Sequence, residues 1–105
     1  MFIYENKGRA LEKDWKLGNE GGVWSFNCDF PGNDLGATHM QAIECGKACL
    51  SKKECTHYVW NSLEGGTCWM KEGEVTRVDA ILSTDDDIIC GIMPFQRPTE
   101  DGEQS

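Results

Sequence analysis

Long apolar runs are missing from this chain: its uninterrupted hydrophobic stretches last only a few residues, far short of the roughly 20 needed to cross a bilayer as a helix. Membrane insertion is therefore not expected. Positive charge is scarce as well. Ten Lys and Arg stand against 18 Asp and Glu, a formal net charge of -8, and such a surface repels phosphate backbones and anionic headgroups. That excludes nucleic acid as a partner class. Histidine occurs only at His39 and His57, and no Gly-x-Ser-x-Gly, phosphate-loop or His-Glu-x-x-His sequence is present. Catalysis needs a nucleophile beside a base, so the expectation is a non-enzyme with no catalytic residues and no cofactor. No Cys-x-x-Cys knuckle occurs, which argues against a zinc site. The secretory-signal pattern is absent too, because Met1-Phe2-Ile3-Tyr4 runs straight into Glu5, Asn6 and Lys7. Either a leader was removed or the chain is a module of a larger secreted protein.

Cysteine, by contrast, is abundant. Six in 105 residues is an even count in a chain with room for one small domain, and it reads as a disulfide framework formed in an oxidising, extracellular compartment. Residues 1–22 are charged and end in Gly21-Gly22, which suggests a partly ordered lead-in. From Val23 the chain alternates, with Trp24, Phe26 and Cys28 set against Ser25 and Asn27, the period of a half-buried strand. Pro31-Gly32-Asn33-Asp34 is a turn. Thr38 and Gln41 have capping-box spacing, predicting a helix from there to about Lys52 in which Gly46 marks either a close contact or a tolerated weakness. Residues 55–61 alternate as a strand, with Thr56, Tyr58 and Trp60 opposite His57, Val59 and Asn61. A hairpin loop at 62–66 leads into a partner strand at 67–72, with Cys68 and Met70 opposite Thr67, Trp69 and Lys71. A short strand is expected within 75–82 and a last one over 88–93. The acidic, apolar-poor tail 96–105 has the composition of disorder.

Six cysteines permit fifteen pairings, and spacing alone does not choose among them. Geometry narrows the set: Cys45 and Cys49 lie on one helical face about 6 Å apart along the axis, suited to reaching two different cysteines beyond the helix. Cys55 can fold back on Cys49, leaving Cys68 for Cys45 and joining Cys28 to Cys90. The run of Cys45 and Cys49 on a helix, then Cys55-Thr56-His57-Tyr58-Val59-Trp60-Asn61, then Gly66-Thr67-Cys68-Trp69-Met70-Lys71 resembles the core of the PAN/apple domain family over about residues 23–95. The resemblance implies an α+β fold, a bent antiparallel sheet with one helix packed across it. It also implies the bridges Cys45–Cys68 and Cys49–Cys55, with Cys28–Cys90 as in the subset that ties its termini. Domains of this kind are secreted, non-catalytic modules that bind glycans or proteins.

The remaining candidates are binding residues. Asp29, Asp34 and Asp85-Asp86-Asp87 fit no EF-hand spacing, so these carboxylates read as solvated turns and no metal is expected. His39 reads as a surface residue and Trp60, beside Tyr58, as core. Trp69 points away from Cys68, hence away from the helix if Cys68 is bridged to it. Flanked by His57, Asn61 and Lys71, with Glu64 in the adjacent loop, it forms an aromatic surface with a polar rim suited to a sugar ring or a protein anchor. The competing expectation is that residues 1–22 fold over that face through Trp15. On the first reading the chain recognises a carbohydrate or glycoprotein, as a monomer or within a larger chain. On the second it is a protein-protein module for adhesion, matrix self-association or inhibition of an extracellular enzyme.

Overall fold

Strand β5 (His57–Asn61) and strand β6 (Thr67–Lys71) pair antiparallel around the tight loop at 62–66, with Tyr58 opposite Met70 and Trp60 opposite Cys68. Their β-branched and aromatic residues suit a pleated surface buried on both sides. In the computed structural model, which describes residues 14–84 and 87–94, this hairpin is the middle of a larger sheet. The other strands are β1 (Lys16–Leu17), β2 (Val23–Phe26), β3 (Cys28–Asp29), β4 (Asp34–His39), β7 (Ile81–Leu82) and β8 (Ile88–Ile92), with one helix, α1 (Ala42–Ser51). Six strands form a bent antiparallel sheet in the order β1-β2-β8-β5-β6-β4, and β3 pairs with β7 in a separate ribbon. The fold is α+β.

Strand periodicity assigns the two faces. Tyr58, Trp60, Cys68 and Met70 face α1 and pack with Cys45, Cys49, Cys55 and Met93. Val59 and Cys90 face the other way, into a cluster with Cys28, Phe30, Ala80, Ile88 and Ile92. Three disulfides tie the layers. Cys45–Cys68 and Cys49–Cys55 hold α1, and Cys28–Cys90 joins the β3 ribbon to β8 across a sequence separation of 62. No free cysteine remains. This is the pairing that the family resemblance implies.

Three local expectations are corrected. Thr38 does not open the helix. It lies in β4 opposite Cys68, and the helix begins after Gln41, which caps it with extended backbone and no side-chain hydrogen bond. Pairing with β6 outweighs the capping signal, since it satisfies the backbone groups of a whole strand. The alternation through β2 breaks at Asn27, whose φ of 60° lies in the left-handed region that asparagine tolerates better than most residues. Consequently Ser25 and Cys28 share the inner side, with Ser25 buried, while Phe26 is partly exposed. The short strand expected within 75–82 is present as Ile81–Leu82, preceded by a 3-10 turn at Arg77–Asp79. The face bearing Trp69 is not open: the partly buried Trp15 packs into the same cluster, as the competing expectation has it, together with Phe30, Ala80 and Val75. Of the lead-in, residues 14–22 are described, and Lys16–Leu17 extends the sheet edge beside β2. Asp85, Asp86 and the acidic tail lie outside the described residues.

Candidate functional site

The five residues expected to form a binding face separate into three places. Trp69 and Asn61 meet: the Trp69 indole N–H donates to the Asn61 Oδ1 at 3.3 Å, and both side chains are half-buried. His57 and Lys71 are opposite each other in the β5/β6 register and are only 1% and 4% exposed, so neither reaches a surface ligand. Lys71 Nζ donates to the Gly32 carbonyl at 3.1 Å and forms an ion pair with Asp34. The His57 ring meets Phe30 edge to face at 4.9 Å and bonds through Nδ1 to the Thr56 hydroxyl at 2.9 Å. Thr56 Oγ1 donates to the Gly73 carbonyl, which makes Nδ1–H the donor in the pair with His57. Burial, reinforced by the Lys71 charge, lowers the His57 pKa to about 4. The imidazole is a neutral structural group at neutral pH. Glu64 is exposed in the 62–66 loop, with its carboxylate 3.2 Å from His39 Nε2.

A different concavity opens on the opposite face. The cross-strand register places Trp24 beside Gly91 and Gly91 beside Tyr58, and in the next row Phe26 beside Ile89. Gly91 is required here: a Cβ on it would lie 2.3 Å from the Tyr58 ring. The aromatic ring of Tyr58 therefore leans over the bare backbone of β8. Trp24 and Phe26 meet edge to face at 5.0 Å. Between these side chains, α1 and the turn after β1 is a groove of about 420 Å³. Tyr58 and Ile89 contribute to its lining from the sheet and Ala42, Ile43 and Gly46 from the helix, with Leu17 and Glu20 on the third side.

Gly46 allows Glu20 to approach the helix. A Cβ at Gly46 would lie 2.6 Å from Glu20 Oε2, so the glycine inside α1 marks a close contact. Glu20 has no hydrogen-bond donor or cation paired with it among the described residues. Tyr58, only 4% exposed, likewise has no hydrogen-bond partner for its hydroxyl there. Its pKa is raised by burial and then by the Glu20 charge. Comparison with known protein families, with curated proteins and with solved structures finds no match. The site is read from its chemistry.

That chemistry is predominantly apolar. The groove holds aromatic faces, aliphatic rims, the Asn19 amide and one carboxylate, and no described group of three His, Cys, Asp or Glu comes together to hold a metal. Leu17 and Ile43, at 77% and 75% exposed, stand at its rim with the partly exposed Phe26. Sequence reasoning placed Trp24 as a half-buried strand residue but did not reach Phe26, Tyr58 or Glu20 as site residues. Asn27 is the signal that separates Trp24 and Phe26 from Cys28. Gly46 is the signal for a close neighbour of the helix.

Proposed function

We propose that this chain is a secreted, non-catalytic binding module of PAN/apple-like architecture that docks an extracellular protein segment in the groove between α1 and β2. The observation that carries this reading is the contiguous apolar rim of Leu17, Phe26 and Ile43 around a concave aromatic site. Isolated exposed hydrophobics are ordinary, but an apolar patch around a groove is the usual form of an interaction site. An aromatic floor in a desolvated pocket is also the usual form of a binding hot spot. The ordered cysteines, the helix that carries two of them and the three bridges support the PAN/apple reading, and the disulfides support an oxidising compartment. Carbohydrate recognition is the competing reading, since Trp24 beside a carboxylate also suits a sugar ring.

Selection from a displayed peptide library, run beside a glycan array on the oxidised protein, separates the two. Peptides enriched by the wild type and lost on Ile43→Asp, with the fold retained, are the expected result. Selective glycan binding lost on Trp24→Ala would replace the protein reading with the carbohydrate one.

A further inference from the structure

We infer that the groove recognises an arginine side chain of the docked partner, with the guanidinium held between the Trp24 face, the Glu20 carboxylate and the Tyr58 hydroxyl. The inference rests on the docking role proposed for this groove and adds the chemistry of the residue that enters it. Three observations point to a cation. Glu20 lines the groove beside the neutral Asn19 amide, without a paired donor or a counter-charge among the described residues, and the chain as a whole carries -8. The Tyr58 hydroxyl belongs to a residue only 4% exposed that lines the same groove and has no hydrogen-bond partner among the described residues. Buried polar groups are otherwise paired in nearly all cases. The third is the aromatic pair Trp24 and Phe26 at the mouth.

Arginine meets these demands together. Its guanidinium has five donors and no acceptor, so it can bond a carboxylate and a phenol oxygen from one plane. That plane stacks on an indole face, and its three-carbon stem lies against apolar rims such as Leu17 and Ile43. Lysine carries the charge but not the plane. The groove should therefore rank arginine above lysine and lysine above a neutral isostere.

The test uses the full oxidised chain and three blocked tripeptides, acetyl-Leu-Arg-Leu-amide and its lysine and norleucine counterparts, titrated while following the Trp24 indole N–H by NMR. The arginine peptide should bind about tenfold more tightly than the norleucine peptide. Glu20→Gln should remove most of that preference. Tyr58→Phe should reduce it while leaving the spectrum folded. Equal affinities for the arginine and norleucine peptides in the wild type would overturn the arginine assignment while leaving an apolar docking groove. Absence of any response at Trp24, or displacement of the peptides by simple sugars at the same resonance, would overturn it as well, and the library selection would then decide the docking role separately.

Discussion

Acidification should destabilise this protein through His57. In the unfolded chain the imidazole titrates near 6.5, whereas in the folded state burial, then the charge of Lys71 opposite it, holds it at about 4, with Asp79 and Asp34 pulling the other way. Between those values the unfolded state binds the extra proton and the folded state does not, so stability falls as the pH falls from about 6.5 to about 4. Below that window both states are protonated and the loss is complete. A displacement from 6.5 to about 4 corresponds to about 3 kcal/mol, a large fraction of the 5–15 kcal/mol typical of native domains. Because the residue is only 1% exposed, solvent screening reduces this little. Guanidinium unfolding at several pH values with the disulfides intact measures it, with His57→Gln as the comparison. The variant can be less stable at every pH, but it should lose about 3 kcal/mol less than the wild type across the window. Parallel pH profiles, or a His57 Cε1–H resonance titrating near 6.5 in the folded protein, would refute the reasoning.

Three further outcomes are expected. Asp34→Ala should cost about 3 kcal/mol, because it strands the Lys71 side chain, 6% exposed, while Lys71→Met should cost about 1 kcal/mol, because the Asp34 side chain is 49% exposed and returns to water; equal losses in denaturant melts would contradict that asymmetry. Gly91→Ala should destabilise by about 3 kcal/mol or prevent folding, since its Cβ would meet the Tyr58 ring, and near-wild-type melting would show that the ring is not seated over β8. Replacing both Cys28 and Cys90 by alanine opens a loop spanning a sequence separation of 62 and should cost about 4 kcal/mol on the chain-entropy model, measured by calorimetry against the wild type; a cost under about 1 kcal/mol would mean that the β3 ribbon is held by packing alone.

The face assignments of β5 and β6 were legible in the sequence because strict alternation survives through both strands: Tyr58, Trp60, Cys68 and Met70 face the helix, and Val59 and Trp69 do not. The bridging cysteines were legible because helix spacing and chain proximity narrow their reach and the family resemblance implies the pairing. Strand β4 was not. Its Gly36 and Ala37 have poor strand propensity, and what makes it a strand is register with β6, more than 25 residues away. The inner position of Ser25 depends on one backbone angle at Asn27, which composition suggests but does not require. The covering of Trp69 was legible only through Trp15; Phe30, Val75 and Ala80 arrive from segments that carry no pattern pointing to that face. Glu20 and Gly46 meet only once β1 has joined the edge of the sheet, so the groove is visible as a glycine inside a helix and otherwise not at all.

The position of the groove follows from how the helix is tethered. Five hydrogen-bonding steps of about 4.8 Å make a sheet of six strands roughly 24 Å wide, whereas a helix with its side chains is about 10 Å across. One helix cannot cover this face. The bridge from Cys45 reaches Cys68 on β6 and the bridge from Cys49 reaches Cys55 just before β5, and α1 accordingly packs on those two strands. The same face of β2 and β8 is left with Trp24, Phe26 and Ile89 and only the edge of α1 beside them. Tyr58 sits at that boundary: its ring packs in the cluster with the helix cysteines, while its hydroxyl end lies over Gly91 toward Trp24. One side chain thus belongs to the core through its ring and to the site through a single oxygen. Removing the oxygen alone therefore tests recognition without removing the ring that supports the helix.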